Sequence, residues 1–383
     1  MKPAACCRVC TWPLFPEPLL TYRNMPAAAQ GFPDSEALAA DAGADLDIFQ
    51  CSGCGLVQLS ASPVAYYREV IRAAGISRVL REAKRRQFAN FIGRLGLAGK
   101  KIIEVGCGRG EFLSLLHDLP VDACGMEFSE SSIRHCREAG LRVFPGYPCA
   151  GSKDIPGAPF DAFFLLMFLE HMPDPNASLQ AIRRQLAPRA VGLVEVPNFD
   201  MMVRKRLFSE FISDHLLYFS QETLVSTLHW NGFEVIGTEE LRDDYVLSVV
   251  VRKRERLDLS GFSSSQAALT GELGDFIGRF PGGRVAVWGA GHQALAILAL
   301  SGLASSIRYV VDSAPFKQGK FTPATHLPVV PPETLVSDPV DAVIVMAASY
   351  SDEVAGILAH DYGSRLTVAI LRESGLEIPG AVQ

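Results

Sequence analysis

The strongest constraint on how this chain folds is an apolar strand that runs directly into a glycine-rich turn. Ile102 to Val105 reads as a buried strand carrying one acid, Glu104. Gly106, Gly108 and Gly110 follow, and Glu111 to His117 opens a helix. Glycines at a strand–helix turn let the backbone approach a ligand closely. A second strand, Asp122 to Met126, ends in Glu127 with Phe128 beside it. Glu127 lies about 20 residues after the first glycine, where a doubly wound sheet places the acid that binds both ribose hydroxyls. Phe160 to Leu169 then reads as a fully buried strand running into Glu170-His-Met-Pro-Asp-Pro, and Ala190 to Pro197 as a further strand with Asn198 just past its end. In open α/β sheets ligands sit at the carboxyl ends of strands, so His171 is either functional or a loop-capping group.

Composition narrows the class. Apolar residues make up 48% of 383 and charged residues 20%, which is a globular balance and excludes a wholly disordered chain. A net charge of −6 gives no overall attraction for nucleic acid or anionic membranes. No apolar run approaches the roughly 20 residues needed to span a bilayer. Lys2 is not followed by an apolar segment, so no secretory signal is expected and the cytoplasm is the expected location.

The cysteines number nine, an odd count in a chain without a leader pattern, which argues against a disulfide framework. Cys7-Arg-Val-Cys10 and Cys51-Ser-Gly-Cys54 form two C-x-x-C pairs. Each pair can aim two thiolates at one ion, and two pairs complete the tetrahedron that zinc prefers. Four protein ligands leave no open position, so such a Zn2+ would be structural. Cys6 is a possible substitute for Cys7. The intervening Pro- and Ala-rich segment is too poor in large apolar residues to build a core alone.

A charged and then Ser-rich stretch from Arg252 to Ser265 reads as a linker. Val285-Ala-Val-Trp-Gly-Ala-Gly then begins a second strand–turn–helix, and the following strand, Ile307 to Val311, ends in Asp312. This satisfies the dinucleotide fingerprint formally. Only about three strands are legible here, so a half-Rossmann unit is expected, either binding one nucleotide phosphate or serving as a packing module. Three parts result: a zinc module over 1–75, an α/β core over 76–252, and a C-terminal Rossmann-like α/β domain over 253–383.

Glu104-Val-Gly-Cys-Gly-Arg-Gly resembles motif I of the class I S-adenosylmethionine-dependent methyltransferases, and Leu169-Glu-His-Met-Pro-Asp-Pro resembles their motif after the fourth strand. That resemblance implies a Rossmann-like doubly wound sheet with S-adenosylmethionine lined by Glu104, Gly106, Gly108, Gly110, Glu127 and Phe128. The order of zinc clip, core and C-terminal module is similar to the sugar C-methyltransferases, which act on nucleotide-linked ketosugars. Cys51-Ser-Gly-Cys-Gly-Leu-Val-Gln-Leu, Asp214-His-Leu-Leu-Tyr-Phe-Ser, Trp288-Gly-Ala-Gly, Val310-Val-Asp and His326-Leu-Pro-Val-Val-Pro-Pro-Glu resemble that family's landmarks in order.

A sulfonium methyl is already electrophilic, so the protein must create and align the nucleophile. Carbon methylation beside a ketone needs a base of near-neutral pKa and a donor for the enolate oxygen. By resemblance His215 is the base, supported by Asp214 and His171, with Tyr218 as an oxyanion donor or as core packing. Neighbouring strand residues point apart, so a direct Asp214–His215 contact is not assured. Several positions depart from the family. Ile212 stands where a tyrosine is usual, Asp214 replaces a glutamate, and Asp243 to Ser248 replaces an H-G-G-S-x-R stretch. Tyr66 and Tyr67 lie near another family tyrosine but neither can be placed on it. The donor site is thus retained and the acceptor site altered. The expected partner is a small molecule, with methylation of oxygen or nitrogen as the alternative to carbon. An oxidoreductase using the C-terminal glycine turn is a rival of another class.

Overall fold

The computed structural model describes residues 6–29, 32–69, 76–282 and 284–379. The chain divides into two compact units, residues 1–255 and 256–383. The expected module boundary at residue 75 lies outside the described residues.

The first unit begins with β1 (Leu20–Met25), β2 (Ala44–Gln50) and β3 (Val57–Leu59), an antiparallel meander. Next come α1 (Arg78–Leu95), β4 (Lys101–Val105), α2 (Leu113–His117), β5 (Asp122–Glu127), α3 (Glu130–Glu138) and β6 (Val143–Pro145). The unit continues with β7 (Phe160–Leu166), α4 (Pro175–Arg184), β8 (Leu186–Pro197), α5 (Phe199–Lys205), β9 (Leu217–Tyr218), α6 (Gln221–Trp230), β10 (Phe233–Leu241) and β11 (Val246–Lys253). The helix starts follow local chemistry. Ser77 caps α1, Asp174 caps α4 with Pro175 in its first turn, and Ser220 with Thr223 forms a capping box on α6. Asn198, read from sequence only as a polar residue past a strand, caps α5.

Seven strands form one sheet in the order β10-β11-β8-β7-β4-β5-β6. β4 to β8 pair in parallel, whereas β11 runs antiparallel to both β8 and β10. This is the class I methyltransferase arrangement: a Rossmann-like parallel sheet with one reversed strand next to its edge. The carboxyl ends of β4, β5, β7 and β8 line one edge. The expected strand from Phe160 stops at Leu166, because Met167 takes φ +54° and Leu169 to His171 wind into a single 3-10 turn. That break lifts Glu170 and His171 out of the sheet at its ligand edge.

The N-terminal meander is not a freestanding module. β9 joins it as a fourth strand, pairing Val57 with Tyr218 and Gln58 with Leu217. Cys7, Val9, Cys51 and Leu56 share one buried cluster with Val105, Phe168, Leu216 and Phe219 from the core.

The second unit contains α7 (Ser260–Gly278), β12 (Val285–Trp288), α8 (His292–Ser301), β13 (Val310–Val311), β14 (Val329–Val330), α9 (Thr334–Ser337), β15 (Ala342–Val345), α10 (Ser351–Tyr362), β16 (Thr367–Arg372) and β17 (Gly375–Glu377). Two expectations change here. The Ser-rich stretch from Ser260 to Ser265 is the first part of a long helix, and only Arg254 to Leu259 connects as a linker. The sheet has six strands, not three, in the order β14-β13-β12-β15-β16-β17. The first five are parallel and the last antiparallel, so the doubly wound order is complete. Two-residue strands such as β13 and β14 are too short to leave a periodic signal. Gly289 is required at the turn after β12, where it takes φ +115° and an added Cβ would lie 2.6 Å from the Met346 carbonyl oxygen.

Candidate functional site

The cofactor edge is built by the turn after β4. Gly106 N–H and Cys107 N–H both donate to the Met126 carbonyl, at 2.8 and 3.1 Å, which ties the turn to the end of β5. Glu127 then accepts Gly108 N–H on one carboxylate oxygen at 2.8 Å and Ser129 N–H on the other at 2.9 Å. The acid is therefore oriented from both sides by backbone. Glu104 is fully buried on β4. Gly106 takes φ +70°, and a Cβ there would fall 2.4 Å from the Phe168 ring. Phe128 is 42% exposed beside Glu127, and the Arg68 guanidinium lies 5.4 Å from its ring centre and 5.8 Å from that of Tyr147. The sequence-predicted cofactor residues thus come together on one edge of the sheet.

The neighbouring group carries the chemistry. His171 Nδ1–H donates to the Asp214 carbonyl oxygen at 2.8 Å. That bond fixes the tautomer and leaves Nε2 with its lone pair, 3.9 Å from a Glu170 carboxylate oxygen. The rings of His171 and His215 lie 4.8 Å apart at a steep angle. Glu170, His171 and His215 bring their nitrogen and oxygen atoms within 4.8 Å of one another. Phe168, against which Gly106 packs, has its ring 6.4 Å from His171, so donor turn and histidine pair share a wall.

The Asp214 side chain is engaged elsewhere than with His215. It accepts Ala29 N–H at 3.0 Å and the Tyr66 hydroxyl at 3.0 Å. Tyr66 is therefore the tyrosine of its segment that enters this site, whereas Tyr67 stacks edge-on against Tyr147. The oxyanion role expected of Tyr218 meets a structural obstacle. Its hydroxyl accepts from Ile212 N–H at 3.1 Å and reaches the Ile212 carbonyl at 3.3 Å, so this residue is occupied in holding its own loop.

Burial sets the electrostatics. It lowers the His215 pKa to about 3, with the neighbouring His171 adding to the effect. It lowers His171 as well, partly offset by the Asp214 carbonyl and carboxylate. It raises the Glu170 carboxyl to about 8. The expected base is thus much harder to protonate than a near-neutral imidazole. Sequence reasoning missed Glu170, although the acid sits next to His171 in the motif that was read; nothing in a linear pattern shows that a carboxylate is sealed from water.

Cys7, Cys10, Cys51 and Cys54 converge with all four sulfurs within 4.8 Å of one another. The Cys7–Cys54 and Cys10–Cys51 sulfurs are 3.6 and 3.3 Å apart. A tetrahedral zinc with bonds of about 2.3 Å has sulfurs about 3.8 Å apart, so the set fits that ion. Backbone N–H groups of Val9, Gly53 and Cys54 point at the sulfurs, as thiolates require. Cys6 is exposed and lies outside the set.

In the second unit, Asp312 accepts Ala290 N–H at 2.8 Å and Ala314 N–H at 2.9 Å and pairs with Lys317 at 2.9 Å. The acid that a dinucleotide would use on its ribose is already neutralised within the unit.

Residues 77–238 match the family model described as a methyltransferase domain, and residues 259–370 match the C-methyltransferase C-terminal domain. Over 92% of both chains, the protein is 22% identical to C-methyltransferase NovU of Streptomyces niveus. It is 30% identical over 129 residues to the ubiquinone biosynthesis O-methyltransferase of Idiomarina loihiensis, a match that spans 32% of this chain and 51% of that one. A crystal structure of an S-adenosylmethionine-dependent methyltransferase from Clostridium acetobutylicum aligns over 46% of this chain and 92% of its own, with 10% identity and a TM-score of 0.39. No helix among the described residues is long and apolar enough to cross a membrane. With its sheet order, its glycine turn anchored by Glu127 and both family domains in sequence, the protein is an S-adenosylmethionine-dependent methyltransferase.

Proposed function

We propose that this enzyme methylates a carbon next to a carbonyl in a small acceptor, a nucleotide-linked ketosugar, with His215 as the base. The carrying observation is the placement of His215 against His171 at the ligand edge of the sheet, with His171 itself one aromatic ring, that of Phe168, away from the donor turn. A neutral imidazole can take the proton from the acceptor carbon. That C–H electron pair becomes the new bond to the methyl carbon, and the S–CH3 pair returns to sulfur as S-adenosylhomocysteine leaves. The likeness to C-methyltransferase NovU along nearly the whole chain supports carbon over oxygen as the methylated atom. Asp214 and Tyr66 would order the loop that carries His215, a positioning role. S-adenosylmethionine when bound supplies the electrophilic methyl; Glu104, Gly106, Gly108, Gly110, Glu127 and Phe128 are the residues that would hold it. Zn2+ at Cys7, Cys10, Cys51 and Cys54 would fix the clip without entering the reaction.

The test uses donor carrying a carbon-13 methyl group, the enzyme and a panel of nucleotide-linked 4-ketosugars, with the label located by NMR. A methyl on ring carbon is expected, and His215→Asn should abolish turnover while donor affinity stays within about twofold. A methyl on oxygen or nitrogen, or full turnover by His215→Asn, overturns the carbanion mechanism.

A further inference from the structure

Glu170 has no place in the mechanism above, yet it sits at its centre. The side chain is 1% exposed, and among the described residues neither carboxylate oxygen has a hydrogen-bond partner beyond the residue's own backbone N–H. A buried carboxylate so short of donors is strongly unfavourable unless a charge or proton comes to it. Its nearest cationic candidates are the two histidines. The other titratable groups facing the cluster do not serve. The Asp214 carboxylate is turned to Ala29 and Tyr66, Tyr218 is bound to the Ile212 backbone, and Tyr245 donates to Glu210 at 2.9 Å.

We infer that Glu170 is the positioning residue that makes His215 a competent base: its ionised carboxylate is the counter-ion for the imidazolium formed at the histidine pair, and it then receives the proton. In atoms, the acceptor C–H proton forms an N–H bond on His215. That N–H bond breaks as an N–H bond forms at His171 Nε2, which breaks in turn as a carboxyl O–H bond forms on Glu170, while His171 Nδ1–H stays on the Asp214 carbonyl. Water takes the proton when the site opens to release products. This removes the difficulty that burial creates, since an imidazole that resists protonation alone can accept a proton beside a carboxylate. Burial also fixes when the device works. With its pKa raised to about 8, Glu170 is protonated and idle in mildly acid solution and becomes available as the pH rises.

The inference rests on His215 acting as base, so its first test needs no acceptor. Full-length protein with labelled histidine and glutamate is titrated by NMR. The His171 and His215 imidazole signals should report a transition near pH 8 that coincides with that of the Glu170 carboxyl carbon in the wild type and vanishes in Glu170→Gln. Histidine signals that titrate identically in both proteins, or a wild-type Glu170 carbon that titrates apart from them, overturn the inference; the second comparison holds even if the variant folds poorly. With the acceptor found by the labelling experiment, Glu170→Gln should lower kcat by about 10- to 100-fold, leave the donor Kd unchanged and erase the acid limb of the pH–kcat profile. A loss of kcat with the limb in place would assign Glu170 to structure alone. Absence of product with every acceptor counts against the proposed function and leaves the titration result standing.

Discussion

Replacing Gly106 by alanine tests the donor turn most directly. Two effects add. At φ +70° an L-residue carries a steric cost of about 1–2 kcal/mol. The new methyl would also sit 2.4 Å from a Phe168 ring carbon, well inside contact distance. Phe168 is 1% exposed and is boxed in by Tyr147 and His171, whose ring centres are 6.0 and 6.4 Å away, so it has little room to retreat. Overpacking of that kind costs about 1–3 kcal/mol. The sum is about 2–5 kcal/mol, read in urea from whichever unfolding transition S-adenosylhomocysteine shifts, since that transition belongs to the first unit. Calorimetric titration with S-adenosylhomocysteine should show at least a tenfold weaker Kd. Gly140→Ala is the control: φ is +77°, but nothing lies within 4 Å of the added carbon, so only the conformational cost of about 1–2 kcal/mol should appear. If Gly106→Ala is no less stable than Gly140→Ala and binds the ligand as the wild type does, the close packing of turn on Phe168 does not shape this site.

Other outcomes are open to measurement. Cys10→Ser should reduce zinc, measured by elemental analysis, from one ion per chain to a small fraction and lower the Tm, whereas Cys6→Ser should change neither. Glu127→Ala should weaken S-adenosylhomocysteine binding by about 10- to 100-fold through loss of charged hydrogen bonds, while Asp312→Ala leaves that affinity intact. Lys84 and Glu195 form a buried ion pair, 7% and 1% exposed, so Lys84→Met should cost about 3–5 kcal/mol in urea unfolding and Lys84→Met with Glu195→Leu should recover much of it. Stability against pH follows from Glu170. Its folded pKa of about 8 exceeds the ordinary 4.5, so between those values the native state holds a proton that the unfolded chain has released. Its contribution is therefore present below about pH 4.5 and lost as pH rises through 8. Relative to the wild type, Glu170→Gln should gain on the order of a few kcal/mol between pH 5 and pH 8, checked by urea midpoints at both.

The turn proposed to hold the donor was legible as a turn because it is local. Glu104, the three glycines and Glu127 lie within one strand–turn–helix–strand unit, and turn chemistry dictates their arrangement. The same holds for the two C-x-x-C knuckles, each of which is a turn. What escaped was whatever depends on burial or on strands too short for a period. Glu170 was passed over because sequence shows its neighbours and not its solvent. Tyr218 was given a free hydroxyl because a bond to the Ile212 backbone six residues earlier has no linear signature. The second sheet was undercounted because β13 and β14 pair through two residues each. Ser263 to Ser265 read as linker on composition, although helix propensity is a weak prior and the apolar residues further along α7, Leu273, Phe276 and Ile277, bury its C-terminal part.

The N-terminal segment is where linear and spatial organisation part most clearly. As a sequence it is a zinc module preceding an enzyme. In the fold it supplies the support for the loop that carries His215. Ala29 N–H and the Tyr66 hydroxyl hold Asp214, the Pro26 carbonyl accepts the Ser213 hydroxyl, and β3 pairs with β9 immediately after His215. The loop from 212 to 218 thus has contacts on both sides of its histidine that come from before residue 70. Arg8 donates to the carbonyls of Ala61 and Pro173, and Asn176 donates to the Val9 carbonyl, so the clip is fastened to the turn that carries Glu170 and His171 as well. Four cysteines held by one ion would then serve catalysis without touching a substrate, by setting the distance between the two histidines. That account ties zinc loss to a change in His171 and His215 and not only to a lower Tm. In Cys10→Ser at a temperature where the protein remains folded, the two imidazole signals should shift together while S-adenosylhomocysteine still binds; unchanged imidazole signals would mean that the clip stabilises the chain without reaching the acceptor site.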